Sequence, residues 1–308
     1  MEMATLQLSL KNKFLSVARR IFFVIIAAKK VAIKLQDILL KDRTTGKNII
    51  WAADDYKDFQ PTDAIIFDDI PLIKPRFEKI KAQQKSRTKK RAEIFTPSWI
   101  CNLQNNLIDE KYFGRANVFN VPENNSWTPT TEKIFFEGDS WQDYILQKRL
   151  EITCGEAPYL VSRYDAVTGA DIPLENRIGL LDRKLRVVNE NTANETDWTN
   201  WAVKAVQSCY GYEFQGDNLF LARRNIFLTF QEYFERQFDK KPSTEILKTV
   251  ADIISWNLWQ MDGITYSPPF MESYNLFGGA NCQIKDWQDN EKEFYFLRDG
   301  LEEKPKQK

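Results

Sequence analysis

LEITCGEAPYLVSRYD, residues 150–165, joins the end of an apolar strand to a turn of small residues, and this segment decides the predicted fold. A second segment, YGYEFQGDNLFLARRNI at residues 210–226, predicts a short strand ending at Glu213, a turn, and a helix that continues to about Phe238. Strand and helix patterns alternate from residue 150 onward, which is typical of an α/β domain with a mainly parallel sheet. Because Glu151 and Glu213 lie about twice as far apart as the ~30 residues of one strand–helix–strand unit, an insertion is expected between the two strands.

Both strand ends carry side chains suited to ligand binding. In α/β sheets, ligands bind at the carboxyl ends of strands near a topological switch point. Glu213, with Gly211 before it, can accept ribose hydroxyls on its two carboxylate oxygens. Glu151 is followed by residues small enough for a ligand to approach the backbone, namely Thr153, Cys154, Gly155 and Ala157. The alternative is that Glu151 and Glu213 are ordinary surface or capping carboxylates.

The composition excludes several classes of chemistry. The 308 residues contain no histidine, which removes serine–histidine–aspartate triads, cysteine–histidine pairs and histidine-ligated metal sites. The cysteines form no CxxC pair and predict reduced thiols in a cytoplasmic protein without a metal site; they are Cys101, Cys154, Cys209 and Cys282. With 43 basic and 43 acidic side chains the formal net charge is zero, so a polyanionic partner has to be met by a local basic patch.

The chain before residue 91 predicts a helical and basic lobe, residues 1–90, which precedes the α/β domain at 91–300 and a charged tail at 301–308. Apolar residues recur at helical spacing within residues 1–40. The apolar run Ile21–Ala28 is much shorter than the roughly 20 residues that span a bilayer. We therefore expect no membrane partner.

The strongest local charge feature is KPRFEKIKAQQKSRTKKR, residues 74–91, in which nine basic side chains face only Glu78. It is either a solvated helix face or a segment that neutralises nucleic-acid phosphates, and taken alone the pattern favours the solvated face. The second interpretation predicts these DNA contacts: Lys85, Arg87, Lys89, Lys90 and Arg91, joined by Arg183 and Lys184 of the basic segment LLDRKLRVV.

Three segments together resemble the motifs of the amino-methylating DNA methyltransferases in their gamma order. AEIFTPSWICN is similar to the Thr-Pro motif, LEITCGEAPYL to the cofactor-binding turn, and YGYEFQGDNLFLARRNI to the motif that holds the ribose. Longer strings between about Lys47 and Phe296 resemble bacterial proteins labelled restriction endonuclease subunit M; among them are GKNIIWAADDY, RIGLLDRKLRVVNEN and IISWNLWQMDG.

The resemblance implies a Rossmann-like fold that binds S-adenosylmethionine, with an N-terminal helical and basic lobe and an insertion between the first two strands. It implies methyl transfer to adenine N6 of double-stranded DNA in a restriction-modification system, with a restriction or specificity subunit as a further partner. Thr96 and Pro97 would hold the methionine end, the turn from Glu151 to Ala157 the cofactor, and Glu213 the ribose. Two alternatives stay open: a catalytically degenerate DNA-binding or complex-forming subunit, and a methyltransferase of small molecules or proteins.

The family's catalytic motif is Asn/Asp/Ser-Pro-Pro-Tyr/Phe, which accepts hydrogens of the target amine and stacks on the flipped base. If Ala251–Ser255 is a strand, then Asn257, Trp259 and Gln260 occupy the motif's position, although both prolines are missing. By its letters, the motif matches Ser267, Pro268, Pro269 and Phe270 instead. We favour the first segment because the family's motif ends a strand. A purely structural role is the alternative for both.

Overall fold

The structure, a computed structural model, describes residues 35–51, 73–270, 281–289, 291–297 and 300–303. Residues 35–40 are helical and are called α1, whereas the apolar run Ile21–Ala28 lies outside the described residues. Within the described ranges no helix combines the length and the apolar character needed to cross a membrane. All four cysteines are buried free thiols.

In the described part of the chain, seven further α-helices follow α1. They are α2 (Lys81–Arg91), α3 (Ser98–Phe113), α4 (Ser140–Leu146), α5 (Leu180–Asn191), α6 (Glu195–Gln207), α7 (Gly216–Phe238) and α8 (Thr244–Asn257). The strands are β1 (Asn120–Glu123), β2 (Ser126–Pro129), β3 (Arg149–Glu151), β4 (Cys209–Glu213), β5 (Leu258–Gln260), β6 (Gln283–Asp286), β7 (Lys292–Leu297) and β8 (Gly300–Glu303).

The central sheet is parallel, with the strand order β3-β4-β5. Its register pairs Glu151 with Gly211 and Glu213 with Gln260, so the carboxyl ends of all three strands lie at one edge. Helices α5 and α6 fill the insertion between β3 and β4. The predicted mixed α/β class with a parallel sheet is confirmed, and so is the end of the long helix α7 at Phe238.

The predicted strand Ala251–Ser255 is wrong, because these residues belong to α8. Leu247, Val250, Ala251 and Ile254 are buried at the three- and four-residue intervals of a helix face, and the side chain of Ser243 caps the helix by accepting from the backbone N–H of Ile246. Strand β5 begins only at Leu258. Asn257 therefore lies at the amino end of β5, at the opposite end of the strand from Gln260.

Alternate residues of the sheet face two different layers. Cys209 and Leu258 belong to the main core, which the helices share. Tyr210 and Trp259 face the antiparallel sheet β6-β7-β8, where they form a second apolar cluster. Because successive side chains of a strand point to opposite faces, both faces of β4 and β5 pack against an apolar layer.

Several described residues before 91 belong to the main core. Leu39, Ile49 and Trp51 are buried in it. The fully buried guanidinium of Arg223 in α7 donates to the carbonyl of Leu39 at 2.7 Å and to that of Leu258 at 2.9 Å. Strand β8 also covers residues 301–303, the start of the predicted charged tail.

Helix α2 is anchored by a buried charge network. Arg87 donates to Glu93 at 2.6 Å and to Asp217 of α7 at 2.9 Å, and Lys79 pairs with Asp217 at 2.9 Å. Burial disfavours the carboxylate of Glu93, but the hydrogen bond and charge of Arg87 outweigh it and lower the pKa of Glu93. The network fixes which face of α2 points outward.

We expect Arg87→Ala to lower the free energy of unfolding by about 3–5 kcal/mol, because it leaves the buried carboxylates of Asp217 and Glu93 without their shared partner. Lys85→Ala, at an exposed position of the same helix, should change it by less than about 0.5 kcal/mol. Urea titration of both variants measures the difference, and equal stabilities would contradict the anchoring role.

Candidate functional site

A cleft of about 970 Å³ opens at the carboxyl ends of β3 and β4. Its walls are the turn after β3, the end of β4, the segment 89–96 and one side of α3. The volume lies in the range of pockets that hold small ligands and cofactors. Among the predicted site residues, those that line the cleft are Thr96, Glu151, Thr153, Cys154, Gly155, Glu213, Lys89, Lys90 and Arg91.

Glu213 links the turn after β3 to the end of β4 through hydrogen bonds. One of its carboxylate oxygens accepts the backbone N–H of Gly155 and the other that of Gln215, both at 2.9 Å. Each oxygen keeps a second lone pair for a ligand hydroxyl. Burial raises the pKa of Glu213 to about 7, against the backbone hydrogen bonds and with help from the nearby negative charges of Asp217 and Glu93.

Glu151 closes the turn after β3. Its carboxylate accepts the backbone N–H of Tyr159 at 3.3 Å and that of Leu160 at 3.1 Å. Burial raises its pKa to about 8, and the charge of Glu213 adds to the shift. Glu151 therefore has the capping role that was the alternative at this position, while its side chain also borders the cleft.

The turn between these carboxylates places three residues in the left-handed region: Thr153 at φ 47°, Gly155 at φ 54° and Ala157 at φ 63°. At Gly155 a Cβ atom would lie 2.8 Å from the ring of Phe95, so only glycine fits without displacing that ring. Ala157 is fully buried and does not line the cleft, so it contributes to the conformation of the turn and not to the surface of the cleft.

The Thr-Pro segment borders the cleft through Thr96. Helix α3 begins at Ser98, with Pro97 at the N-cap position and no side-chain cap from its own segment. The carboxylate of Asp165, from a distant part of the chain, accepts the backbone N–H of Ser98 at 2.7 Å. Thr96 lines the cleft, and the ring of its neighbour Phe95 lies close to Gly155.

The basic segment divides into an outer and an inner set. Lys81, Lys85 and Lys89 are exposed at four-residue intervals, so they share one face of α2. Lys89, together with Lys90 and Arg91 at the end of the helix, lines the cleft. Arg87 points inward into the network described above, so its predicted contact with DNA is wrong.

Arg183 and Lys184 are also misassigned as DNA contacts, because both are buried. Arg183 pairs with Asp109 and donates to the side chain of Asn102 at 2.9 Å. The ammonium of Lys184 donates to the carbonyl of Ile145 at 2.9 Å, and burial lowers its pKa to about 8. Both side chains hold α5 to its neighbours.

The first-choice catalytic segment is wrong in its placement. Asn257 is fully buried at the amino end of β5, where its amide donates at 3.0 Å to the carbonyl of Cys209 and accepts from the indole of Trp287 at 2.6 Å. Trp259 is buried in the second apolar cluster. Gln260 is buried as well and accepts the backbone N–H of Ile50 at 2.6 Å. These three side chains serve structure.

The runner-up segment lies at the correct end of the sheet. The backbone N–H of Met261 donates to the carbonyl of Glu213 at 3.1 Å, and that of Asp262 to the carbonyl of Ser267 at 2.9 Å. Phe270 is 49% exposed, and its ring centroid lies 5.8 Å from that of Phe214, which lines the cleft. By contrast Ser267, Pro268 and Pro269 are buried.

Asp262 is not among the site residues predicted from the sequence. It follows the carboxyl end of β5 and is half-buried, and its side chain accepts the backbone N–H of Ile264 at 2.8 Å. An acidic residue just after a strand is the same signal that identified Glu213. Because the strand was predicted at residues 251–255, residue 262 was not considered as a residue that follows a strand.

The raised pKa values give the stability a pH dependence. Glu213 and Glu151 bind protons in the folded chain at pH values where the unfolded chain has released them, so their stabilising effect is present below about pH 4.5 and is lost as the pH rises through about 7 and 8. The free energy of unfolding of the wild type should therefore fall between pH 5 and 9. In Glu213→Gln this fall should be smaller by up to about 3 kcal/mol. Urea titrations across this range test it, with the exposed Glu110→Gln as a control that keeps the wild-type slope.

Gly155→Ala should destabilise the chain by at least about 1 kcal/mol more than Gly138→Ala. Both glycines have φ near +54°, but a Cβ at Gly138 meets no atom within 4 Å, whereas one at Gly155 meets Phe95. Thermal unfolding compares them. If the excess cost persists in a Phe95→Ala background, the proposed steric contact is not its cause.

Comparison of the chain with protein-family models, with curated proteins and with solved structures found no match.

Proposed function

We propose that the chain binds S-adenosylmethionine in the cleft and serves the amino-methylation of DNA, at adenine N6, in a restriction-modification system. The observation that carries the proposal is the Glu213 carboxylate, which sits at the end of β4 and accepts the backbone N–H of Gly155 in the turn after β3. In Rossmann-like folds an acidic residue at this place holds ribose hydroxyls, next to a tight turn that admits the rest of the ligand.

The walls of the cleft suit the parts of this cofactor. Glu213 has free lone pairs for the ribose, and the exposed turn at Thr153 leaves its backbone open to a ligand. The positive sulfonium gains from the two buried carboxyl groups, Glu151 and Glu213, because binding a cation favours their ionised forms. When bound, the cofactor supplies an electrophilic methyl group to the amine nitrogen of the base.

The basic face of α2 supports a polyanionic partner beside the same cleft. Lys81, Lys85 and Lys89 form an exposed stripe, and the stripe ends at the wall to which Lys89, Lys90 and Arg91 contribute. Phosphates bound along this stripe would bring a flipped base to the cleft, where the exposed ring of Phe270 offers a stacking surface.

A second function, that of a complex-forming subunit without its own catalytic loop, is favoured by one observation. In the described part of the chain the two segments that could accept the hydrogens of an amine have their polar side chains buried, at Asn257 and at Ser267. Ser267 is also engaged with the hydroxyl of Thr265 at 2.8 Å. Cofactor and DNA binding are common to both functions, and methyl transfer by the isolated chain distinguishes them.

Glu213→Gln should weaken the binding of S-adenosylmethionine at least tenfold, since a neutral amide replaces the carboxylate that receives the ribose. Isothermal titration calorimetry measures this, with Glu110→Gln as the control that keeps wild-type affinity and circular dichroism to verify folding. An unchanged Kd in folded Glu213→Gln excludes the ribose-holding role.

For DNA, the double variant Lys85→Glu/Lys89→Glu should bind duplex at least tenfold more weakly at 50 mM salt, and the slope of log K against log salt should fall by about two. The control Lys111→Glu/Lys241→Glu makes the same change of charge at exposed positions off this stripe. Fluorescence anisotropy at several salt concentrations separates them. Equal losses in both variants would show a nonspecific charge effect, and S-adenosylmethionine binding without DNA affinity would favour a methyltransferase of small molecules or proteins.

A further inference from the structure

A second cavity, of about 430 Å³, is lined by the hairpin β1-β2, by helix α5 and by the carboxyl-terminal part of α7. It shares no lining residue with the cleft described above. Its apolar walls include Phe119, Trp127, Leu174 and Tyr233. The volume lies in the range that small organic molecules occupy, and the proposed function makes no use of this cavity.

One buried carboxylate oxygen of this cavity has no hydrogen-bond donor among the described residues. Asp182 of α5 lines the cavity and is fully buried. Its Oδ2 accepts the backbone N–H groups of Ser162 and Gly179, at 2.8 and 3.2 Å, and the hydroxyl of Ser162 at 3.2 Å, whereas its Oδ1 has no partner. Because an unpaired buried acceptor is costly, Oδ1 needs a donor that enters from the cavity.

The charges around this oxygen favour a positively charged donor. Three guanidinium groups line the walls, and each is already paired with a carboxylate: Arg177 with Glu232 at 2.6 Å, Arg183 with Asp109 at 2.5 Å and Arg186 with Glu190 at 2.7 Å. Burial raises the pKa of Asp182 to about 6, although the charge of Arg177 opposes the shift, so the side chain is ionised near neutral pH without an ion-pair partner among the described residues. A cationic ligand supplies the charge that the site lacks.

The aromatic walls suit the same kind of ligand. Trp127 is half-buried, and its indole N–H donates to the carbonyl of Asn176 at 2.7 Å, which holds the ring in the wall of the cavity. Burial and then the charge of Asp182 raise the pKa of Tyr233, so the phenol and the carboxylate lie close together. Aromatic rings attract organic cations through cation–π interactions, most strongly where a carboxylate is also present.

The rim of the cavity carries one exposed side chain of each charge, Glu175 and Arg236. An ammonium group bound at Asp182 leaves the rest of a ligand to extend toward this rim. A diamine would bring its second ammonium group near Glu175, and an amino acid would bring its carboxylate near Arg236. Both sources share the ammonium group, which is the chemistry that the buried oxygen selects.

We propose that this second cavity binds a small organic molecule through a primary ammonium group, which donates to Oδ1 of Asp182 while its aliphatic body lies against Trp127 and Tyr233. One ligand would then contact the hairpin β1-β2, α5 and α7 together. The site is separate from the cleft, and the proposal does not depend on the proposed function.

Four probes with the same five-carbon body test the proposal by calorimetry and ligand-observed NMR on the full chain near neutral pH. They are n-pentylamine, cadaverine, L-norleucine and the uncharged 1-pentanol. At least one of the three ammonium compounds should bind at least tenfold more tightly than 1-pentanol. Tightest binding of cadaverine identifies a diamine as the source, that of norleucine an amino acid and that of pentylamine a simple amine. If none of the three binds at millimolar concentration, because water or a residue outside the described ranges fills the cavity, the proposal is overturned.

The variant Asp182→Asn locates the binding. It keeps one oxygen for the donors of Ser162 and Gly179 and turns an amide N–H toward the cavity, so ammonium binding should weaken at least tenfold. The control Asp139→Asn makes the same change at an exposed position that lines neither the cleft nor this cavity, and it should keep wild-type affinity. Unchanged binding by folded Asp182→Asn overturns the proposal. So does binding that is lost in Glu213→Gln and kept in Asp182→Asn, because the probe then occupies the cleft.

A second variant at the rim decides the matter if Asp182→Asn does not fold. Arg236 is exposed, so Arg236→Glu changes the charge beside the cavity without removing a buried contact. At low salt it should strengthen the binding of pentylamine and cadaverine at least threefold and weaken that of norleucine at least threefold. Lys241→Glu makes the same change of charge at an exposed position off the cavity and should leave all three affinities within about 1.5-fold. Equal effects of the two variants, or no effect of Arg236→Glu, overturn the proposal.

Discussion

The site depends on one buried carboxylate. Glu213 accepts two backbone N–H groups, from Gly155 and Gln215, and so fixes the turn after β3 against the end of β4. Its burial makes ionisation costly enough to bring its pKa to about 7. A carboxyl group poised in this way responds to any ligand that offers hydroxyl donors or positive charge. Structure and proposed binding therefore rest on the same two oxygens.

A second buried network determines which side chains of α2 are exposed. Because Arg87 is committed to Glu93 and Asp217, the lysines of α2 point outward and run toward the cleft. The buried pairing of Arg87 thus places a row of lysines of α2 at the surface. The proposed cofactor site and the proposed DNA path become neighbours through this packing, although residues 81–91 are far from Glu213 in the sequence.

The sequence predicted the elements whose signals are local. The strand ending at Glu213 and the helix ending at Phe238 followed from apolar pattern and turn residues, and both are present. The strand at Ala251–Ser255 failed because a short apolar run fits a helix face as well as a strand, and here the tertiary packing of α8 decided. Arg87, Arg183 and Lys184 were misjudged because a charge run does not reveal distant acidic partners such as Asp217 or Asp109. The position of β3 at the end of the order β3-β4-β5 among the described strands could not be read from the sequence, since strand order is a property of the whole sheet.

The central claim is that Glu213 receives S-adenosylmethionine, and proton linkage tests it most directly. Calorimetric titration near pH 7 in buffers of different ionisation enthalpy measures the protons exchanged on binding. If hydroxyl donors and a sulfonium favour the ionised carboxylates, binding releases up to about one proton per cofactor, and Glu213→Gln reduces that release. Binding without proton release, or no binding to the folded chain, would contradict the account.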